Sequence, residues 1–355
     1  MPALAKEITW PKHDDQYDLA HESWPAEEWT WTLPGCVLYF ILVSSPSFRG
    51  LLHAVIAYFV AVAAHEAGHL IGGAIAGFKL ITFAVWPFEV YRNRDTWRFK
   101  WMQRPGMAGY TEAYPVYDSN FRKRMSIVVA AGPVASIVVG VGAAVFEAPS
   151  LACWSLLGVL QLLPIRSDGM RLRMLLRGGP EVDRFRRLVF VEASSVKGLA
   201  PREWDPELLS KIEGPADGSP DALSAQGCRY NWLLDTGQVE EAGKVLHLIL
   251  SLDLHDVARA GWWLEAAWFE ARFRSDSSNA RAYFAGVPVE LKGGANQCEL
   301  YKAQAAIAFL EQRWDDLDAA LEAALKGCEA MDELGMARAN RDDLIKLKAD
   351  SDAQR

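Results

Sequence analysis

The sequence predicts a mainly α-helical membrane protein. We expect a multi-pass helical core of about four spans with a small β-hairpin insertion, followed by a soluble domain of α-helical hairpin repeats. Hydrophobic residues make up 51% of the 355 residues, and the long apolar runs are concentrated between residues 33 and 165. Two of these runs contain the roughly 20 apolar residues that a membrane-spanning helix needs. The second half of the chain has the composition and helical periodicity of a soluble protein.

Four apolar segments are predicted to cross the membrane and to contact its lipid. They comprise residues 29–45, 51–78, 125–146 and 150–164. The first and fourth segments are short, and each reaches the required length only if flanking residues are part of the span. Trp24, Trp29 and Trp31 accompany the start of the first segment, as expected of an interfacial aromatic belt. No basic region precedes an apolar core at the N-terminus, so we expect no cleavable signal peptide.

The distribution of Lys and Arg predicts the orientation of these segments. Nine basic residues lie between the second and third segments and four lie in 166–177, whereas none lies between the third and fourth segments. Because basic loops stay in the cytoplasm, both termini are predicted to be cytoplasmic and the protein to reside in a bacterial cell membrane. The chain then divides into a cytosolic segment, a membrane domain, a linker with short helices and a helical domain, at residues 1–28, 29–178, 179–220 and 221–355.

Net charge and cysteine usage exclude several classes of protein. The net charge of −8 gives no indication of a nucleic-acid partner. None of the five cysteines forms a C-x-x-C pair. We therefore expect neither a disulfide framework nor a thiolate zinc site, and interpret all five as reduced cysteines packed as small hydrophobes.

The strongest chemical signal is a short motif within the second apolar segment, His65-Glu66-Ala67-Gly68-His69. Two histidines four residues apart project from one face of a helix, so both imidazoles can reach one zinc ion. Glu66 lies beside the first histidine, where its carboxylate can take a proton from an attacking water. The competing interpretation is two packed histidines and an unrelated glutamate. Ionisable residues are costly inside a membrane, which favours a functional Zn²⁺ site.

A catalytic zinc ion usually has three protein ligands and one open position. Asp168 is the best candidate for the third ligand because it follows the fourth segment, which runs in the same direction as the second. Both features then fall toward the cytoplasmic side of the membrane. An Asp-Gly pair is also a common turn signal. From the residues alone, the metal-ligand and turn interpretations of Asp168 both stay open.

This combination resembles the site-2 protease family of intramembrane zinc metalloproteases. The matching motifs lie within residues 30–175 and are His65-Glu66-Ala67-Gly68-His69, Ala131-Gly132-Pro133, Leu163-Pro164 and Asp168-Gly169. The resemblance implies that His65, His69 and Asp168 are zinc ligands. It also implies that Glu66 is the catalytic base and that the substrate is a transmembrane protein. The chain departs from the family at Gln161, where Asn is usual, and has one residue fewer before the aspartate.

Residues 79–104 alternate in part between apolar and polar side chains. This pattern predicts a β-hairpin of residues 81–86 and 97–101 with its turn near 93–95. The hairpin is either a surface feature without a special function or an edge strand that captures unfolded substrate by strand addition. In the second case, proline substitutions within 85–90 should impair cleavage without loss of zinc.

The C-terminal region has the pattern of tetratricopeptide-like helical hairpins. The turn-like sequences are residues 233–242, 275–280 and 312–317. Aligned on Ala242, Ala280 and Leu317, they repeat every 38 and 37 residues, against about 34 in the standard repeat. We expect either a module that binds a protein or peptide partner, or a generic helical domain without that function. Three tryptophans at helical spacing are predicted to belong to its core: Trp262, Trp263 and Trp268.

Hydrolysis of peptide bonds in membrane proteins is the function that these features favour. The main alternative is a proteolytically silent binding or scaffold protein of the same fold, against which the intact Glu66 argues. A membrane-anchored peptidase with its site outside the bilayer conflicts with the motif's position in a long apolar run. A transporter is the weakest alternative because the four segments show no duplicated half.

Overall fold

The computed structural model describes residues 48–93, 96–102, 108–116, 118–163, 168–212, 219–254, 256–294, 297–331 and 333–355. Within these residues the chain is mainly helical and contains one four-stranded antiparallel sheet. The predicted cytosolic segment 1–28 and the first predicted span, residues 29–45, lie outside the described part of the chain.

Two long apolar helices, α1 (Phe48–Ile75) and α2 (Phe121–Val145), form the centre of the first half. They coincide with the second and third predicted spans, and both are long and apolar enough to cross a membrane. At 1.5 Å per residue each is longer than the roughly 30 Å of a bilayer's hydrocarbon core. Gly68 and Gly72 let the helices approach closely, since a Cβ on Gly68 would lie 2.4 Å from the carbonyl oxygen of Ala131.

The fourth predicted span is a shorter apolar segment. It consists of α3 (Pro149–Leu157) and a 3₁₀ helix, Gly158–Leu162. Trp154 on α3 makes an edge contact with Tyr58 on α1, with ring centroids 5.1 Å apart. Together, α1, α2 and α3 form a three-helix arrangement around residues 65–69 of α1, the HEAGH motif. The described part of the chain therefore contains two helices of spanning length, where the sequence predicted about four spans in the whole chain.

Four strands connect α1 to α2. They are β1 (Phe78–Val85), β2 (Phe88–Asn93), β3 (Thr96–Trp101) and β4 (Gly109–Pro115). All neighbours are antiparallel, in the order β3-β2-β1-β4. Val85 pairs with Phe88 across the first turn, and Phe83 pairs with Thr111 on the other side of β1. The edges of this sheet are therefore β3 and β4.

The predicted hairpin was wrong in its pairing. The chain reverses at Trp86-Pro87, so that β1 pairs with β2, and β2 in turn pairs with β3. The alternation in β2 is inverted, which is why the sequence pattern missed this strand. Glu89 is only 4% exposed and pairs with Lys100 at 3.2 Å, whereas the adjacent Phe88 is 48% exposed. Residues 85–90, proposed above as an edge, thus form the end of β1, the turn and the start of β2, and both strands are interior.

Helix α4 (Asp168–Arg177) lies at the end of the predicted membrane domain. The region predicted as a linker with short helices, residues 179–220, contains the 17-residue α5 (Pro180–Val196), a 3₁₀ turn (Pro201–Glu203) and the short α6 (Pro206–Leu209). Helix α5 packs on both sides. Val182 and Val189 belong to a core cluster with Met125 of α2, whereas Leu188 and Val191 join a second cluster.

The remaining helices form the C-terminal repeat domain. They are α7 (Pro220–Asp235), α8 (Val239–Leu250), α9 (Asp256–Phe269) with a π turn (Glu270–Arg274), α10 (Ser277–Gly286), α11 (Val289–Gly294), α12 (Gln297–Leu310), α13 (Trp314–Glu329) and α14 (Leu334–Asp352). Trp268 is fully buried, and Trp262 and Trp263 pack against the same cores. The prediction that these tryptophans belong to the core is confirmed.

Equivalent turns recur in this domain at the predicted spacing. Each turn contains one residue with positive φ, at Gly237 (81°), Ser275 (55°) and Gln312 (57°). The three aligned positions Ala242, Ala280 and Leu317 are each 0% exposed. The predicted offsets of 38 and 37 residues therefore correspond to a repeated helix–turn–helix geometry.

One cysteine prediction was wrong. Cys298 and Cys328 form a disulfide, with their Cα atoms 5.1 Å apart. They are 30 residues apart in sequence, and they meet because α12 and α13 run antiparallel, which brings the start of one helix beside the end of the other. Cys153 and Cys228 are free.

Candidate metal centre

The two histidines of the motif lie on the face of α1 that meets α2. Their ring centroids are 4.9 Å apart, as expected for residues separated by one helical turn. Their side chains are 12% and 13% exposed, so the site is largely enclosed by protein. Asp168, the first residue of α4, reaches the same place from 103 residues further along the chain.

Three potential ligand atoms form an almost equilateral triangle. Nε2 of His65 and Nε2 of His69 are 3.2 Å apart, and each lies 3.2 Å from Oδ2 of Asp168. Two ligands bound tetrahedrally at 2.0–2.1 Å from one zinc ion are about 3.3 Å apart. The triangle therefore has the dimensions of three corners of a zinc tetrahedron. Of the described residues, these three form the only such His, Cys, Asp or Glu cluster.

The hydrogen bonds on the far side of each ring fix which nitrogen faces the centre. Nδ1 of His69 donates to the backbone carbonyl of Val128 at 2.8 Å. In the neutral ring this leaves Nε2 with an unshared electron pair directed at the carboxylate of Asp168. Nδ1 of His65 lies 2.9 Å from the hydroxyl of Ser136. Facing lone pairs at 3.2 Å repel each other unless a proton or a metal cation lies between them. Such outer hydrogen bonds are usual for metal-binding histidines.

Glu66 lies beside this triangle but is not one of its three members. Its carboxylate accepts a hydrogen bond from the hydroxyl of Thr111 on β4 at 2.9 Å. Gly109, the first residue of β4, is so close to α1 that a Cβ on it would lie 2.9 Å from Cγ of Glu66. Strand β4 therefore holds the carboxylate next to the metal ligands, the position that a general base needs.

All four residues predicted from the sequence, His65, Glu66, His69 and Asp168, thus meet in one place. For Asp168, this position favours the metal-ligand interpretation over a simple turn. The shorter connection after Gln161 still delivers its carboxylate to both imidazoles. Residues 164–167 of that connection lie outside the described part of the chain.

Sequence reasoning assigned no individual function to three residues that support this site. Ser136 is a polar residue within an apolar span, and that signal was available in the sequence. Gly132 was noticed only as part of a motif. Its function is spatial, because a Cβ there would lie 2.3 Å from Nε2 of His69. Thr111 gave no local signal, since its function depends on the packing of β4 against α1.

No protein-family model, no curated protein and no solved structure matches this chain. The assignment of a function therefore depends on the residues of the site and on their geometry. Those residues are a His-His-Asp set that could bind a metal ion, with a glutamate and a hydroxyl beside it.

Proposed function

We propose that this protein is an intramembrane zinc metalloprotease of the site-2 protease type. The observation that carries the proposal is the triangle of His65, His69 and Asp168 with Glu66 beside it. Two imidazole nitrogens and one carboxylate oxygen are a usual donor set for catalytic zinc, and three protein ligands leave a position open for water. The donor set thus fits Zn²⁺.

In this proposal the chain's own residues divide the chemistry among them. His65, His69 and Asp168 would hold the metal, and a bound zinc ion would acidify water and polarise the scissile carbonyl. Glu66 accepts the proton of the attacking water and returns it to the leaving amine. Thr111 orients the Glu66 carboxylate by donating its hydroxyl hydrogen.

Apolar side chains on the outer faces of the long helices support a position in the bilayer. Several on α1 and α2 are about half exposed or more, including Ile56 (52%), Ile75 (74%), Val138 (65%) and Val145 (72%). Such exposed apolar surface is typical of contact with lipid. The four-span topology with both termini in the cytoplasm remains part of the proposal. The motif then lies in the cytoplasmic half of the membrane.

An aromatic patch on the sheet supports the same placement. Its five members are each about half exposed or more: Trp86, Phe88, Trp97, Phe99 and Trp101. The ring of Trp86 stacks on Phe59 of α1, with centroids 5.8 Å apart, so the patch continues the lipid-facing surface of that helix. We therefore place this face of the sheet at the membrane–water interface, where aromatic side chains are favoured.

Strand β4 is the better candidate for capturing substrate by strand addition. It is an edge of the sheet, and its residues Gly109 and Thr111 contact Glu66. An unwound substrate segment paired with β4 would have its backbone beside the base. Photo-crosslinking from Tyr114 on β4 should capture substrate, whereas the same probe at Arg98 on the opposite edge strand should not.

A proteolytically silent scaffold of the same fold is the competing proposal. It requires the metal site or the fold alone and gives no function to Glu66. The hydrogen bond from Thr111 and the position of Glu66 beside the ligands favour the enzyme. For the repeat domain we propose that it binds a protein or peptide partner.

The decisive experiment compares the wild-type protein with Glu66→Gln. The amide keeps the size of the side chain but cannot act as a base, so zinc content should be unchanged and cleavage abolished. Zinc is measured on the purified protein, and cleavage is measured by comparing membrane-protein fragments in cells that express either form. Equal fragment patterns in the two cell lines would overturn the proposed protease activity.

A further inference from the structure

Arg171 connects the helix of the third metal ligand to the C-terminal repeat domain. It lies one turn after Asp168 on α4. Its Nη1 and Nη2 donate to the two carboxylate oxygens of Asp221 at 3.2 and 3.3 Å. The guanidinium also lies 4.2 Å above the ring of Phe185 on α5. A bidentate, stacked arginine has a defined position, unlike a surface lysine.

Asp221 belongs to the first turn of α7, the first helix of the repeat domain. A carboxylate at that position interacts favourably with the positive end of the helix dipole. Ser219 caps the same helix end by accepting a hydrogen bond from the backbone N–H of Ala222. The bond between Arg171 and Asp221 therefore joins two rigid helices that are 50 residues apart in the chain.

The surroundings of Arg171 are acidic. Its charge acts on Glu192, which also feels the carboxylates of Asp221, Glu333 and Glu112. These four acids come from α5, α7, the start of α14 and β4. Burial and the three neighbouring carboxylates raise the pKa of Glu192 to about 7, whereas Arg171 lowers it. Arg171 thus stabilises a junction at which the membrane domain meets the repeat domain.

The position of Asp168 depends on how α4 is held. The far end of this helix is fixed by Arg122 of α2, which donates to the carbonyls of Leu175 and Leu176. Residues three apart on a helix share a face, so Arg171 and Asp168 project to neighbouring directions. A tether on Arg171 therefore limits rotation of α4 about its axis. Such a rotation would carry the carboxylate of Asp168 away from the two imidazoles.

We propose that Arg171 is a positioning residue, through which the docked repeat domain holds Asp168 at the metal site. This inference deepens the proposed metalloprotease function and rests on it. It gives the repeat domain a regulatory function. A protein partner that draws Asp221 away from Arg171 lowers the metal affinity of a site in another domain, through one helix.

A charge exchange tests this proposal on the full-length protein in detergent. Arg171→Asp and Asp221→Arg should each raise the zinc dissociation constant about tenfold, the scale on which partners of metal ligands act. The double exchange should restore it, because the pair is rebuilt with reversed polarity. The affinity is measured by competition with a chromophoric chelator, and size-exclusion chromatography monitors folding.

A matched control lies within the repeat domain. Arg272 pairs with Asp350, whose carboxylate is 47% exposed, as is that of Asp221. Arg272→Asp should leave the zinc dissociation constant unchanged, because this pair does not touch α4. An unchanged constant in Arg171→Asp, or a double exchange that fails to restore affinity, would overturn the positioning proposal. A wild-type protein that binds zinc but cleaves nothing would instead overturn only the proteolytic function.

Discussion

Gly132 provides the space that the ring of His69 occupies, and a single methyl group should remove it. An alanine Cβ at this position would lie 2.3 Å from Nε2, 2.6 Å from Cε1 and 2.7 Å from Cδ2 of that ring. Non-bonded heavy atoms need about 3.5 Å, so the ring must move by about 1 Å. Its other nitrogen is held by the carbonyl of Val128 at 2.8 Å. Metal sites tolerate errors of only about 0.2 Å in ligand distance.

We therefore expect Gly132→Ala to weaken zinc binding by at least about 100-fold, the upper end of the range for changes around metal ligands. The matched control is Gly142→Ala in the same helix, where an added Cβ meets no atom within 4 Å. Both substitutions improve helix propensity by about 1 kcal/mol, so a difference between them reports on the site. Zinc content and chelator competition on both purified variants give the answer. If Gly132→Ala binds zinc as tightly as Gly142→Ala, the proposed metal centre is wrong.

Three further predictions concern the base, the domain junction and the membrane surface. Thr111→Val should keep zinc but lower the cleavage rate about tenfold, because the Glu66 carboxylate loses its donor; Thr82→Val in the same sheet serves as the control. Glu192→Gln should stabilise the protein at pH 8 and not at pH 4. The pKa of Glu192 is raised to about 7 in the folded protein. Its neutral carboxyl group therefore contributes stability at a pH below the pKa of the unfolded chain, and this stability is lost as the pH rises through about 7. The gain, measured by denaturation at both pH values, is at most about 3 kcal/mol. In a variant that retains Trp101 as its only tryptophan, lipids with brominated chains should quench the tryptophan fluorescence. Unchanged emission would contradict the proposed contact between the aromatic patch and lipid.

Local geometry explains what could be predicted without the tertiary structure. The spacing of His65 and His69 places two imidazoles on one helical face whatever the rest of the chain does. The long apolar runs likewise predict α1 and α2. The repeat offsets of the C-terminal domain follow from turns and buried positions that recur within each helical hairpin. These features depend on contacts within a few turns of the chain, and sequence periodicity records such contacts directly.

The strand pairing required information that periodicity does not contain. Strand β2 buries a charged residue, Glu89, and exposes Phe88, so its pattern is the reverse of a strand on a water-soluble sheet. The position of Thr111 beside Glu66 depends on how the whole sheet folds back along α1. The disulfide of Cys298 and Cys328 depends in the same way on the antiparallel packing of two helices.

By itself, the sequence determined the two long apolar helices, the helical face that carries His65 and His69 with Glu66 beside them, and the period of the repeats, because helix geometry makes these consequences local. For Asp168 it left two interpretations open. Only the tertiary structure decided that this carboxylate lies 3.2 Å from both imidazoles, that Ser136 and Val128 orient the rings, and that Arg171 ties α4 to the repeat domain. Those contacts join residues 50 to 103 positions apart, and the packing of separate elements against one another sets their distances.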